Sequence, residues 1–101
     1  MGSNPTLSAT PQHENIYYLY ILLNEAGTRT YTGVSDDIEK RLKEHNEGKV
    51  TSSRPYRPYK VIYTQAFTTL RETRQEERYY KSATGRRRLK EIISSLASRH
   101  C

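Results

Sequence analysis

Cysteine is almost missing from this 101-residue chain, and the single one is its last residue, Cys101. An internal disulfide framework is therefore excluded, and a reducing, cytoplasmic setting is expected. Long apolar runs are missing as well. The longest, Ile16 to Leu23, is far too short to span a bilayer, and no secretory pattern precedes it. Only 34% of the residues are hydrophobic. The core of this single-domain length of chain must be small and rich in tyrosine.

Acidic residues are absent from two stretches that hold much of the positive charge. Lys49 to Lys60 contains Lys49, Arg54, Arg57 and Lys60; Arg78 to Lys90 contains Arg78, Lys81, Arg86, Arg87, Arg88 and Lys90. With a net charge of +6, a polyanionic partner is expected, nucleic acid ahead of an anionic membrane surface. A basic surface that only keeps the protein soluble is the plainer alternative. In Arg54-Pro55-Tyr56-Arg57-Pro58-Tyr59-Lys60 bases alternate with rings, a pattern in which cations follow phosphates while aromatic side chains stack on unpaired bases. The prolines could equally serve to stiffen a long crossover.

Residues 1–15 lack periodicity and are rich in Ser, Thr, Pro and Asn, so a disordered tail is expected ahead of a folded domain over residues 16–98. Gly2-Ser3-Asn4-Pro5-Thr6 is also what one frame of a transfer-RNA T-arm would encode, which suggests a true start further downstream. Strands are expected at about Tyr17 to Leu23 and Arg29 to Val34, joined by a hairpin through Asn24-Glu25-Ala26-Gly27. A turn centred between Glu25 and Ala26 would set Tyr20 directly opposite Tyr31 on one face of the sheet, whereas a one-residue slip would separate them.

A helix then opens with Asp36 and Glu39 spaced as a capping box, carries a Glu39/Lys43 pair and stops at Gly48. Its apolar stripe is Ile38 and Leu42. A loop with two prolines leads to a third strand over Lys60 to Phe67. Thr69 and Glu72 form a second capping box for a helix to about Lys81, Ser82 to Gly85 is a break, and Leu89, Ile92, Ile93 and Leu96 mark a third helix. The order is β-β-α-β-α-α, an α/β (α+β) fold without internal repeats.

Several residues call for more than a structural role. In the second helix Leu70, Thr73 or Arg74, Glu77 and Tyr80 or Lys81 recur at inward spacing, so Glu77 needs an ion partner, a metal or a raised pKa, unless the helix is rotated and Glu77 pairs with a surface arginine. Arg41 and His45 lie one turn apart and can reach the same sheet edge. An arginine fork suits a phosphate, although each is otherwise an ordinary helix residue. Arg86, Arg87 and Arg88 at a helix amino terminus oppose the macrodipole unless an anion binds there or the end frays.

Taken together, Tyr18-Leu19-Tyr20-Ile21-Leu22, Tyr31-Thr32-Gly33-Val34, Ile38 to Asn46 and Glu77 to Ser82 resemble the GIY-YIG nuclease superfamily. The small single-domain branch, similar to the nuclease domain of the excinuclease C subunit, is the closest in look, and the match covers Tyr17 to Ile93. Tyr18 stands in place of the first motif's glycine, Thr32 in place of the second motif's isoleucine, and Val34 where the excinuclease domain has Gly-Lys.

The resemblance implies a three-stranded antiparallel sheet flanked by helices and a metal-dependent endonuclease that hydrolyses DNA, in repair or recombination. It implies catalytic roles for Tyr20, Tyr31, Arg41, His45 and Glu77, with Glu77 holding a single Mg²⁺ or Mn²⁺ ion. Tyr20, Tyr31 and His45 are all open as the base. Lys49, Arg54, Arg57, Lys60, Lys81, Arg86, Arg87 and Arg88 are the expected DNA contacts. No small-molecule cofactor and no membrane is expected, while a protein partner is open. The alternative is a nucleic-acid binding module that keeps the fold and cuts poorly.

Overall fold

A computed structural model describes residues 16–99; the expected tail and the question of its start lie outside the described residues. The elements are β1 (Tyr17–Asn24), β2 (Thr30–Ser35), α1 (Ile38–Asn46), a 3-10 turn (Arg54–Tyr56), β3 (Tyr59–Phe67), α2 (Leu70–Lys81) and α3 (Ala83–Arg99). The sheet is antiparallel in the order β2-β1-β3. The most apolar strand, β1, takes the centre, where both faces are covered. Leu19, Ile21 and Leu22 are fully buried there, each worth about 1.5–3 kcal/mol in transfer terms.

Alternation divides β1 between two cores. Leu19 and Ile21 pack with Tyr80 of α2 and Leu89 of α3, while Tyr20 and Leu22 pack with Tyr59 and, from α1, Ile38 and Leu42. A bulge in β3 serves both. Ile21 pairs with Tyr63 but Leu22 pairs with Val61, so Ile62 is an extra residue. That insertion puts Tyr59 and Val61 on the Tyr20 face and Tyr63 on the other, where strict alternation would have put all three together.

The hairpin is centred one residue later than the sequence suggested. Tyr20 pairs with Gly33 and Leu22 with Tyr31, so the two tyrosines share a face as diagonal neighbours, not as a direct pair. Asn24 causes the shift. Its buried side-chain oxygen accepts the Thr28 and Arg29 amides at 2.9 and 2.8 Å, which draws Arg29 into the turn, and Gly27 supplies the positive φ of 76°.

Helix ends also differ in detail. Asp37, not Asp36, caps α1 by accepting from the Lys40 amide at 3.1 Å, because Ser35 holds the Asp37 amide and delays the helix by one residue. Lys43 reaches Glu47 and not Glu39. Thr69 caps α2 as its spacing suggests. The break before α3 is Ser82 alone, and Gly85 lies inside the helix. A side chain on Gly85 would strike the Tyr79 backbone carbonyl, so glycine permits this abrupt reversal. Leu70 is exposed, not inward; Thr73 and Tyr80 are the buried residues of α2. Among the described residues no helix is long and apolar enough to cross a membrane.

Candidate active site

The hairpin, α1 and the 3-10 turn build one polar-aromatic cluster on the Tyr20 face. Arg41 and His45 stand on the inward side of α1 with Ile38 and Leu42, as three- and four-residue spacing requires. His45 is completely buried. Its ring centre lies 4.3 Å from that of Tyr31 and 6.2 Å from that of Tyr20, and the two tyrosine rings are 6.3 Å apart.

Both imidazole nitrogens are occupied. Nδ1 is 2.7 Å from the buried Ser53 hydroxyl, and Nε2 is 3.4 Å from the Tyr20 hydroxyl. Ser53 is held in turn, since its carbonyl accepts from the Tyr59 hydroxyl at 3.1 Å. Burial pushes the His45 pKa down, the Arg41 charge adds to that, and Glu44 opposes it. The ring is therefore neutral and enclosed, which fits a group that positions Tyr20 better than one that meets water.

Tyr20 is only 1% exposed, and its pKa is raised, chiefly by burial, against the lowering by Arg41 and with smaller upward contributions from Tyr31 and then Glu77. At Tyr20 desolvation wins, and the phenol stays protonated at neutral pH. Tyr31 is half-buried, so exposure separates the two phenols.

Arg41 is held above its already high pKa first by interaction with the Tyr20 hydroxyl and then by Glu44, whose Oε1 accepts from Arg41 Nη1 at 2.7 Å. Its Nε is buried without a hydrogen-bond partner. A buried donor of this kind costs about 1–3 kcal/mol if left unmet, and an anionic ligand oxygen would meet it. Glu77, on α2, keeps 19% of its side chain exposed and pairs with Lys81 Nζ at 3.2 Å.

Among the described residues no three His, Cys, Asp or Glu side chains gather as a metal site. Glu77 is the carboxylate whose charge reaches Tyr20. A lone carboxylate fits Mg²⁺, which keeps most of its waters and takes further ligands from a substrate phosphate.

The expected DNA contacts fall into separate places. Arg54 and Arg57 lie side by side over Gly48, and Arg57 Nη1 donates to the Arg54 carbonyl. Lys49 is drawn to Glu47 at 3.3 Å, and Lys60 is exposed on β3. Lys81 and Arg86 border a cleft beside Tyr31. Arg87 is exposed, whereas Arg88 pairs with Glu91 and borders a different groove with Ile62. Successive helix residues point about 100° apart, so the three arginines do not form one patch.

Ser53 and Arg29 join the site without any signal in the sequence that marks them for it. Arg29 sits 4.3 Å above the exposed Tyr56 ring, a contact that only the hairpin's return to the 3-10 turn creates. Gly33 was visible within Tyr31-Thr32-Gly33, but its reason is spatial, because the Tyr20 phenol lies against it.

A model of the GIY-YIG catalytic domain matches residues 16–90. A UPF0213 protein of Bacillus licheniformis is 43% identical over 68 residues, 66% of this chain and 69% of that protein. A UPF0213 protein of Clostridium perfringens is 38% identical over 81 residues, 77% of this chain and 83% of that one. The solution NMR structure of a UPF0213 protein from Bacillus halodurans shares 33% identity, covering 80% of this chain and 84% of its own, with a TM-score of 0.44.

Proposed function

This chain belongs to the GIY-YIG nuclease family, and from that premise we propose that it is a Mg²⁺-dependent endonuclease that hydrolyses DNA phosphodiester bonds. One observation carries the proposal: the Tyr20 phenol lies 3.4 Å from His45 and interacts with Arg41, and Glu77 of α2 is near enough for its charge to act on Tyr20. A fold kept for binding alone has no need of a carboxylate at such a point.

The chain's own groups divide the work by exposure and charge. Arg41, with a free buried Nε–H, holds the scissile phosphate and stabilises its added negative charge in the transition state. Tyr31, the less buried phenol, orients the attacking water and relays its proton, accepting it at the hydroxyl oxygen while its own hydroxyl proton passes to solvent. Tyr20 remains a hydrogen-bond donor at the floor of the site, fixed there by His45, and His45 is fixed by Ser53. Glu77 would hold Mg²⁺, which would supply positive charge for the phosphate oxygens. To release that carboxylate, Lys81 must leave its ion pair. With Glu77 as its one protein carboxylate, the site would hold a single ion and not a two-metal clamp.

Arg54, Arg57 and Lys60 extend the basic surface beyond the cluster, with Tyr56 exposed among them for stacking on an unpaired base. Branched and flapped strands present such bases, and they arise in DNA repair and recombination. The test is incubation with branched, flapped and supercoiled DNA, with and without Mg²⁺, beside a Glu77→Ala variant. Cutting by the wild type alone and only with Mg²⁺ is expected. Equal cutting by both proteins removes Glu77 from the site, and salt-sensitive binding without cutting by either makes the chain a binding module.

A further inference from the structure

The edge strand β2 passes from the catalytic cluster into a cleft whose lining residues, Tyr31 apart, take no part in the proposed cleavage chemistry. It measures about 310 Å³ and meets the catalytic cluster at Tyr31. Thr30 and Thr32 border it from the strand, Lys81 and Arg86 from the two helices, and Tyr80 and Leu89 from the core. Thr30 and Thr32 pair with Leu23 and Ile21, so their side chains lie on the face opposite Tyr20 and Tyr31. No carboxylate lines the cleft.

Lys81 and Arg86 are brought together by the reversal at Ser82. The Arg86 amide bonds to the Ser82 carbonyl at 2.9 Å, and Gly85 lets α3 start hard against the Tyr79 carbonyl. Lys81 is bonded to Glu77. Arg86 is exposed and has no ion partner among the described residues. Two cations and two hydroxyls around one cleft select an anion with several acceptor oxygens, the chemistry of a phosphate ester.

Its position says which phosphate. From Gly33, under the Tyr20 phenol, to Thr30 is three residues of strand, about 10 Å, so a nucleic-acid strand lying along β2 reaches both places within one or two nucleotide steps. Resting on the nuclease reading above, we propose that this cleft is a second phosphate site, which grips the cut strand one or two nucleotides to one side of the scissile bond. The enzyme then needs nucleotides on that side, and the direction in which the strand lies along β2 is fixed.

The experiment walks a single uncharged methylphosphonate linkage along a synthetic oligonucleotide. Binding is measured in EDTA and single-turnover cleavage in Mg²⁺, for the wild type and Arg86→Gln. One linkage, one or two nucleotides from the cut, should weaken wild-type binding about 10-fold, the usual size for one charged hydrogen bond. Arg86→Gln should lose the same factor on the all-phosphate strand and nothing more on the neutral linkage. An unchanged urea midpoint shows that the exposed substitution leaves the fold intact. Multiplying losses, or no sensitive linkage, overturns the second site even if cleavage proceeds. An Arg86-linked position found by binding, without any cleavage, upholds the cleft and removes the nuclease reading instead.

Discussion

The Tyr20 phenol lies against the α-carbon of Gly33, its cross-strand partner, so closely that a β-carbon there would come within 2.5 Å of the hydroxyl oxygen and 2.7 Å of the ring carbon bearing it. Glycine at this position is a matter of space. Gly33→Ala should cost about 1–3 kcal/mol through overpacking, read as a lower urea midpoint. Tyr20→Phe should not rescue it, because the ring carbon still collides. Tyr20→Leu should recover part of the loss, and strictly additive losses in the Gly33→Ala/Tyr20→Leu protein would refute the contact.

His45 gives a pH dependence whose sign follows from its burial. Its folded pKa lies below the usual value of about 6.5, so between those two values the unfolded chain binds a proton that the folded one refuses. The contribution is complete above about 6.5 and is lost as pH falls toward the depressed folded value, with a slope of up to about 1.4 kcal/mol per pH unit. Urea titrations between pH 7.5 and 5 should show the wild-type midpoint falling on acidification. His45→Gln should flatten that portion of the curve, and an unchanged slope would mean that His45 is not the group responsible.

The same residues show what could be read before any coordinates. Apolar patterning placed β1 and α3 because burial itself generates the pattern, capping-box spacing placed α1 and α2, and the hairpin kept Tyr20 and Tyr31 on one face because parity survived a two-residue change in their pairing. The shift itself was hidden. It depends on the Asn24 side chain bonding to amides four and five residues away, a tertiary choice among turns of similar local preference. Likewise the Ile62 bulge, which sends Tyr59 toward His45 and Tyr63 away from it, lies inside the apolar run Val61-Ile62-Tyr63, where the pattern does not say which residue is the extra one. Ser53 was invisible for a similar reason: a serine in a loop is usually solvated, and only the approach of His45 buries it.

The amino terminus of α1 offers a sharp local comparison. Asp36 and Asp37 are adjacent acids, yet only Asp37 accepts from the Lys40 amide. Asp37→Ala should destabilise the protein by about 1 kcal/mol. Asp36→Ala, at an exposed position, should stay within about 0.5 kcal/mol of the wild type. Thermal or urea unfolding of the two variants decides it, and equal losses would move the cap.

Glu77 and Lys81 make a prediction that separates binding from chemistry. Their 3.2 Å ion pair ties up a cation beside the second cleft, and the carboxylate is the group proposed to hold Mg²⁺. Glu77→Gln should therefore abolish Mg²⁺-dependent cleavage while tightening DNA binding in EDTA, because Lys81 is released to a phosphate. The gain should appear as a steeper salt dependence, by about 0.9 in the slope of log K against log salt for duplex DNA or about 0.7 for a single strand. Adding Lys81→Gln should erase the extra slope without restoring cleavage. Fluorescence anisotropy across a salt series reads the binding, and gel assays read the cutting. Should Glu77→Gln bind no more tightly than the wild type, Lys81 does not reach the substrate, and the loss of cutting would have to be explained by the ion site alone.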